Sequence, residues 1–246
     1  METAGDHTVF ADYDSWKGWR ATFSPSADEA VYYAAELRGI ALEDRSVFEI
    51  GFGTGAFLGW AESQGASVMG SEVTPALAKS AEDRGLRLIP ADFENRRILA
   101  PESLDLVAAF DVFEHLSMDM IAAKLRAIDA ALKPGGYLIL RYPNGQSPFG
   151  LASQHGDATH ITALSRAKIE QLAVGTALVT ARYGGAARPK ARQILTRFVR
   201  GWRYLLRDTH MRAINFIYGS NVELEPVVTQ LLIKRKGASD DTTDTK

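Results

Sequence analysis

Three glycines at alternate positions form the most chemically informative pattern in the sequence. Gly51, Gly53 and Gly55 follow a short apolar run and precede an apolar stretch of helical length. Glycine lets the backbone turn sharply and lets a ligand approach closely, and a helix that begins there offers unpaired N–H groups. The pattern therefore predicts a ligand-binding loop between a buried strand and a helix, although a loop that only connects the two elements is the simpler alternative.

The same loop fits two classes of cofactor. Gly51-x-Gly53-x-x-Ala56 matches the relaxed dinucleotide pattern, in which a pyrophosphate lies on the amino terminus of a helix. Sites for both classes use an acidic residue that accepts hydrogen bonds from ribose hydroxyls. Glu72, 21 positions after Gly51, is the candidate for this residue. Glu49 separates them, because a carboxylate beside the loop repels a pyrophosphate but attracts a cofactor that carries an ammonium and a sulfonium. The residues therefore favour S-adenosylmethionine.

Composition excludes several function classes. The 246-residue chain has no cysteine, which removes disulfides, thiolate metal sites and cysteine nucleophiles. No stretch approaches the roughly eighteen apolar residues of a membrane span. The first residues, Met1 to Asp6, lack the basic and apolar segments of a secretory signal, so we expect a cytoplasmic protein. The carboxylates show no compact metal-ligand spacing, and we expect no metal site.

Short apolar runs alternate with amphipathic stretches of helical length, which is typical of a parallel sheet covered by helices on both faces. The predicted strands are Val47 to Ile50, Val68 to Glu72, Leu86 to Pro90, Leu104 to Phe110, Tyr137 to Tyr142, Thr176 to Tyr183 and Val227 to Lys236. The predicted helices are Ser26 to Arg38, Gly55 to Gln64, Pro75 to Gly85, Ser117 to Lys133, a helix from about Ser165, and Pro189 to Arg207. Such an alternation places ligands at the carboxyl ends of the strands.

We divide the chain into three segments. Residues 1–43 form an aromatic and helical segment, either a lid over the cofactor or plain core. Residues 44–236 form the cofactor-binding domain, with a helical insertion at about 186–221, and residues 237–246 form a disordered tail. The aromatic side chains of the first segment are Phe10, Tyr13, Trp16, Trp19 and Phe23.

Five segments, in order from about Ser46 to Asn144, resemble the class I S-adenosylmethionine-dependent methyltransferases. They are Val47 to Gly55, Glu72, Ala91-Asp92-Phe93, Asp105 to Leu116 and Leu132 to Leu138. The resemblance implies an α/β fold, a three-layer α/β/α Rossmann-like sheet of seven strands whose last strand is antiparallel and inserted beside the fifth. It also implies S-adenosylmethionine as methyl donor and S-adenosylhomocysteine as product.

The resemblance also assigns the cofactor-binding residues. The glycine loop (Gly51–Gly55) and the end of the fourth strand hold the methionine part, Glu72 holds the ribose, and Asp92 with the following N–H holds the adenine edge. The predicted cofactor contacts are Glu49, Gly51, Phe52, Gly53, Gly55, Glu72, Val73, Asp92, Phe93, Phe110 and Asp111.

Two histidines are candidates for the base that takes a proton from the acceptor. Catalysis in this family is largely the positioning of an acceptor against the sulfonium methyl, plus removal of that proton. His115 and His160 are candidates because histidine titrates near neutral pH, although His115 could instead cap a helix or shape the pocket. Asp157 could orient His160, and alternatively Asp157 or Thr159 could cap the helix near Ser165.

A weaker, local resemblance concerns the acceptor. Pro143-Asn144, Asp157-x-Thr-His160 and Leu164-Ser165 resemble methyltransferases of bacterial surface-polysaccharide biosynthesis. This resemblance implies O-methylation of a sugar hydroxyl, with His160 as the base. An O- or N-methyltransferase for another small molecule, and a cofactor-binding scaffold without turnover, are the alternatives.

Basic residues concentrate late in the chain. Between Arg182 and Arg212 there are nine basic residues and one acid, Asp208. From about Pro189 to Arg207, apolar residues recur at helical spacing with arginines between them, which predicts a helix. This helix could be a lid packed on the core. Alternatively, it could form a surface that contacts a phosphate-bearing acceptor or an anionic membrane. Nucleic acid is not expected, because the chain is slightly acidic and has no recognisable RNA-binding module. The sequence does not indicate an oligomeric state.

Overall fold

The computed structural model describes residues 21–96, 98–188 and 194–236. Its strands are β1 Ser46–Ile50, β2 Ser67–Ser71, β3 Arg87–Leu88, β4 Leu104–Phe110, β5 Leu132–Pro143, β6 Leu178–Gly185 and β7 Val227–Lys234. They form one sheet in the order β3-β2-β1-β4-β5-β7-β6. The first five strands are parallel, and β7 lies antiparallel between β5 and β6. The predicted Rossmann-like sheet, with its last strand beside the fifth, is confirmed.

Helices cover both faces of this sheet. They are α1 Ala27–Glu36, α2 Ala56–Ser63, α3 Pro75–Asp83, α4 Phe93–Arg96, α5 Met118–Ala131, α6 Leu151–His155, α7 Arg166–Leu172 and α8 Ile194–Tyr218. A capping box of Ser26 and Glu29 begins α1, and the Ser117 side chain caps α5. Serine at these positions satisfies an N–H group that the helix itself leaves unpaired.

Consecutive residues of each strand point to opposite faces, and so the core has two layers. Phe48 packs with helices α5 and α7, in the layer that contains Leu125 and Ile169. Val47 packs on the other face, in the layer that contains Tyr33 of α1 and Phe57 of α2. This arrangement confirms the three-layer α/β/α architecture.

Two strands, β3 and β5, differ most from the prediction. β3 has only two residues, since just Arg87 and Leu88 pair with β2. β5 begins at Leu132, inside the predicted helix, because Leu132 pairs with Leu104 before the register shifts. Gly135, with φ of 82°, lies in this irregular stretch, where a left-handed conformation favours glycine.

Helix α8 differs more from the prediction. It ends at Tyr218 rather than at about Arg207. The predicted apolar positions Phe198, Val199, Trp202, Leu205 and Leu206 are exposed, so they do not pack on the core as one of the two interpretations expected. Phe216 and Ile217, beyond the predicted end, are also exposed. The helix is attached through its charged side instead, where Arg188 pairs with Asp208 and Arg207 pairs with Glu225.

Some predicted features lie outside the described residues. They are Phe10, Tyr13, Trp16 and Trp19, the start of the basic helix at 189–193, and the tail 237–246. Within the described residues, no helix combines the length and the apolar character that crossing a membrane requires.

A buried ion pair fixes the segment that follows β3. The Lys124 ammonium of α5 lies 2.7 Å from the Glu94 carboxylate and donates to the Ala91 carbonyl at 2.6 Å. Both side chains are about 95% buried, and the ammonium lies 4.4 Å from the centre of the Phe93 ring. Lys124 therefore holds α4, and the loop before it, against the core.

Replacing one member of this pair should destabilise the fold strongly. Lys124→Met leaves the Glu94 carboxylate buried without its partner, and we expect the free energy of unfolding to fall by about 3 to 5 kcal/mol in urea denaturation. The double variant Lys124→Met/Glu94→Gln should recover part of that loss. A loss below about 1 kcal/mol in the single variant would contradict a stabilising role for the pair.

Candidate active site

The glycine loop has the backbone conformation that the sequence predicts. Gly51, Gly53 and Gly55 all have positive φ, of 65°, 53° and 72°. A Cβ atom on Gly51 would lie 2.8 Å from a methyl of Val112, and one on Gly55 would lie 2.2 Å from the Phe23 ring. Both the conformation and the space therefore require glycine at these two positions.

The end of the N-terminal segment covers the outer side of this loop. The backbone N–H groups of Thr22 and Phe23 both donate to the Thr54 carbonyl, at 3.1 Å. The buried Phe23 ring packs against Phe52, with 5.7 Å between ring centres. Phe52 is a predicted cofactor contact, and its ring belongs to a small apolar cluster. Phe52 also lines the cavity described below.

Glu49 is the next-to-last residue of β1, the strand that leads into the glycine loop, and it is only 4% exposed. Its Oε2 atom has no hydrogen-bond partner among the described residues. Burial, and then the negative charge of Glu72, raise the pKa of the Glu49 carboxyl well above its usual range. A cation in the adjoining cavity would pair with this carboxylate, so the site fits the ammonium end of S-adenosylmethionine.

Glu72 holds the loop in place from the end of β2. Its carboxylate accepts hydrogen bonds from the N–H groups of Gly53 at 2.9 Å, Val73 at 2.8 Å and Thr74 at 2.9 Å. A carboxylate has about four acceptor positions, so about one remains for a ribose hydroxyl. The Val73 side chain is exposed. Glu72 therefore has a structural role on the loop in addition to its predicted contact with ribose.

The predicted adenine contacts, Asp92 and Phe93, make contacts of their own within the protein. The Asp92 carboxylate pairs with Arg96 at 2.7 Å, and this hydrogen bond lowers the pKa of Asp92. Phe93 is buried, with its ring 5.3 Å from that of Phe48, and its N–H donates to the Pro90 carbonyl. Neither Asp92 nor Phe93 lines the cavity, so their contact with adenine stays a prediction.

Phe110 ends β4 beside the glycine loop, and Asp111 follows it. Asp111 has φ of 57°, and both its oxygens accept from the Arg141 Nε at 3.0 Å. The Arg141 guanidinium lies over the rings of Tyr32 and Phe110, at 5.2 and 5.3 Å from their centres. A fixed ion pair therefore forms one wall of the site.

The segment of residues 157–162 is held against the residues that follow β4. The Glu114 carbonyl accepts from the N–H groups of Ile161 and Thr162, both at 3.0 Å, and the Thr162 hydroxyl donates to the Leu116 carbonyl. These bonds bring His160 against His115, with 4.6 Å between ring centres. The two candidate bases, hereafter the histidine pair, thus form one group.

Hydrogen bonds indicate which nitrogen of His115 carries the proton. The Thr159 hydroxyl donates its hydrogen to Asp157 at 2.6 Å and lies 2.8 Å from Nδ1 of His115. Since that hydroxyl hydrogen is already used, Nδ1 of His115 is the donor, and in the neutral ring Nε2 carries the lone pair.

His160 has the same tautomer for a different reason. Its Nδ1 lies 3.1 Å from the Gln154 carbonyl, which can only accept, so in the neutral ring Nε2 again carries the lone pair. Asp157, predicted to orient His160, lies 4.0 Å from that Nε2 and is linked more directly to His115 through Thr159. The capping alternative for Asp157 and Thr159 is wrong, because the Ser165 side chain caps α7.

Glu114 is a member of this group that the sequence analysis missed. It is fully buried, and neither carboxylate oxygen has a hydrogen-bond partner among the described residues. Burial, and then the charge of Asp111, raise its pKa well above the usual range. One potential ligand atom from each of Glu114, His115 and His160 lies within 4.8 Å of the others. The adjacency of Glu114 and His115 was visible in the sequence, but the approach of His160 was not.

One cavity of about 400 Å³ connects the glycine loop to the histidine pair. Its walls therefore combine predicted cofactor contacts with both candidate bases. The cavity wall includes Glu49, Gly51, Phe52, Gly53, Phe110, Asp111, Glu114, His115, Arg141, Ser153 and His160.

Comparisons with known proteins agree with the fold. Residues 48–140 match the family described as a methyltransferase domain. A S-adenosylmethionine-dependent methyltransferase from Archaeoglobus fulgidus has a similar fold, with a TM-score of 0.63 at 16% identity over 85% of this chain and 95% of that one. A second, from Mesorhizobium loti, has a TM-score of 0.59 at 16% identity over 85% of this chain and 100% of that one.

A third similar structure contains ligands. The phosphoethanolamine N-methyltransferase 2 of Haemonchus contortus, in complex with phosphomonomethylethanolamine and S-adenosylhomocysteine, has a TM-score of 0.59 at 16% identity, over 94% of this chain and 58% of that one. No curated protein matches the chain by sequence.

Cofactor binding should release a proton from Glu49. Because burial raises its pKa, the carboxyl keeps its proton to a higher pH before binding, whereas an ammonium beside it favours the charged form. The affinity for S-adenosylmethionine should therefore fall as pH falls through the raised pKa of Glu49. Calorimetry in two buffers of different ionisation enthalpy should detect up to about one released proton.

The matched variants for this measurement are Glu49→Gln and Glu43→Gln. Glu49→Gln should bind S-adenosylmethionine about 10-fold more weakly at pH 8 and release no proton, while the exposed Glu43 should be replaceable without effect. Equal proton release by the native chain and Glu49→Gln would disprove the assignment.

Proposed function

We propose that this S-adenosylmethionine-dependent methyltransferase transfers its methyl group to a hydroxyl of a sugar or sugar-linked acceptor, in polysaccharide or glycoconjugate biosynthesis. The single observation that carries the proposal is the histidine pair, whose two residues line the same cavity as Glu49. The cofactor supplies a methyl group on a sulfonium, which is attacked in line by the acceptor atom.

An oxygen acceptor explains the need for these histidines. A hydroxyl is a weak nucleophile until it loses its proton, and imidazole is the side chain best matched to that task near neutral pH. The tautomer of each ring is fixed by a bond at Nδ1, so each presents a lone pair at Nε2. A base that is already oriented loses little entropy when the acceptor binds.

The polar character of the cavity wall supports a polyhydroxylated acceptor. Asp111, Arg141 and Ser153 contribute both donors and acceptors close to the histidine pair. Because Arg141 is held by Asp111 and by two aromatic rings, its remaining N–H groups have a fixed direction. Fixed donors and acceptors can distinguish one hydroxyl of a sugar from its neighbours.

The acceptor chemistry is tested by replacing His160. With saturating S-adenosylmethionine and a panel of nucleoside-diphosphate sugars, native protein should release S-adenosylhomocysteine, and His160→Ala should lower kcat by about 10²-fold or more. His155→Ala is the matched control, since His155 is exposed on α6 and should leave turnover unchanged.

Three results would count against the proposal. Unchanged turnover in His160→Ala removes that residue from catalysis. Turnover of amines but not of sugars favours the alternative of another small-molecule acceptor. Cofactor binding without S-adenosylhomocysteine from any acceptor favours the scaffold alternative.

We further propose that α8 places the enzyme on an anionic membrane, where a phosphate-bearing lipid-linked acceptor would be available. Phe198, Trp202 and Leu205 lie along one side of the helix and are each more than half exposed. Exposed arginines flank them, including Arg197 and Arg203. Apolar side chains beside cations have the chemistry that binds an interface of negatively charged lipids.

Vesicle binding tests this placement. The native chain should sediment with phosphatidylglycerol vesicles and much less with phosphatidylcholine vesicles, and binding should weaken as salt rises. Phe198→Ser/Trp202→Ser should lower the bound fraction at least about 5-fold, because burial of the two side chains is lost. Val174→Ser, at another exposed apolar position, is the control.

Two outcomes contradict the membrane proposal. Equal binding to both lipids would exclude charge complementarity. Self-association of the native chain through α8, lost in the double variant and seen by light scattering without vesicles, would assign the apolar face to a second copy.

A further inference from the structure

We infer that Glu114, His115 and His160 form a binding site for a divalent first-row transition-metal ion such as Zn²⁺, at the acceptor end of the cavity. Two imidazoles and one carboxylate are a ligand set that this class of ion prefers. The sequence predicts no metal site, since its third ligand comes from a distant part of the chain.

The three side chains already converge. Their candidate ligand atoms all lie within 4.8 Å of one another. Ligands of a tetrahedral Zn²⁺ at about 2.1 Å lie about 3.4 Å apart, so movements of about 1 Å would complete the coordination.

Glu114 provides the strongest independent observation. Its side chain is completely buried, yet neither of its oxygens has a hydrogen-bond partner among the described residues. Burying a carboxylate without partners is costly unless it meets a cation or takes up a proton. The Arg141 charge nearby is already paired with Asp111, so it does not fill this role.

The bonds behind the two rings have the pattern found behind metal-bound histidines. Such histidines usually donate their second N–H to a carbonyl or carboxylate, which fixes the ring and makes the ligand nitrogen more basic. His160 donates to the Gln154 carbonyl, and His115 donates to Thr159, whose hydroxyl donates to Asp157. In each ring the atom that carries the lone pair is therefore Nε2.

A cation held by three protein ligands keeps at least one coordination position for another ligand, and we assign it to the acceptor hydroxyl. This role rests on the proposed O-methyl transfer. Coordination lowers the pKa of a hydroxyl, so its proton can pass to solvent near neutral pH. The oxygen then forms a bond to the methyl carbon, the carbon–sulfur bond breaks, and its electron pair stays on sulfur to give S-adenosylhomocysteine. In the metal-bound site the histidine pair holds the ion that promotes loss of the proton, whereas in the metal-free site His160 is the base of the proposed function.

Metal binding can be measured without cofactor or acceptor. Full-length, tag-free protein is treated with a chelator and then dialysed against Zn²⁺, and in parallel titrated with Co²⁺ while its visible absorption is followed. We expect one Zn²⁺ per chain and a Co²⁺ spectrum typical of four or five ligands. Glu114→Gln and His160→Ala should each weaken Zn²⁺ binding by about 100-fold or more.

Two further variants separate a ligand from a structural residue. Thr159→Val keeps all three ligands and removes only the group that orients His115, so Zn²⁺ affinity should fall about 10-fold to 100-fold. His155→Ala should bind Zn²⁺ like the native chain. Glu114→Gln is nearly isosteric and removes a buried charge, so circular dichroism should show that it folds.

The result that would overturn the inference is absence of stoichiometric Zn²⁺ and Co²⁺ binding, or binding that Glu114→Gln and His160→Ala leave unchanged. In that case Glu114 is neutralised by a proton. Zn²⁺ binding without methyl transfer to any sugar would keep the site and overturn the proposed acceptor. Methyl transfer that survives complete metal removal would keep the proposed acceptor and overturn the metal's catalytic role.

Discussion

Two hydrogen bonds to one carbonyl, that of Glu114, bring together the parts of the candidate active site. They come from the N–H groups of Ile161 and Thr162, and they hold the segment that follows β5 against the turn that follows β4. The parallel neighbours β4 and β5 end at the same edge of the sheet, which makes this connection short. These two hydrogen bonds therefore hold His160 against His115. The sheet therefore places both segments at one edge, and the backbone hydrogen bonds align the segment after β5 with the turn after β4.

Buried carboxylates give the cavity its chemical polarity. Glu49 lies at the end next to the glycine loop, and Glu114 lies at the end next to the histidine pair. Each has oxygen atoms without a partner among the described residues, and burial raises the pKa of both. Such groups are destabilising in an empty protein and become favourable when a cation is bound. The fold thus buries two carboxylates, those of Glu49 and Glu114, where ligands are expected to bind. Buried ionisable groups of this kind are common in functional sites.

The charged side of α8 shows how ion pairs can override an amphipathic pattern. The helix has the apolar periodicity of an element packed on a core, but Arg188, Asp208, Arg207 and Glu225 attach it through its polar side. Glu225 lies just before β7, at the end of the connection from α8, so it can meet arginines from both sides of the insertion. Periodicity specifies which side chains share a face, but not which face meets the protein.

The sequence by itself determined the alternation of strands and helices, the position of the glycine loop and the acids Glu49 and Glu72 beside it. These features are local, because hydrophobic period, glycine conformation and the charge next to a loop depend on neighbours in the chain. Boundaries were less predictable: β5 starts early because Leu132 finds a partner in Leu104, which no local pattern records. The tertiary structure alone decided that Glu114 joins the histidine pair, that Asp157 reaches His115 through Thr159, and that α8 turns its apolar side outward. Each of these depends on contacts between residues far apart in the chain, and one sequence carries no direct record of such contacts.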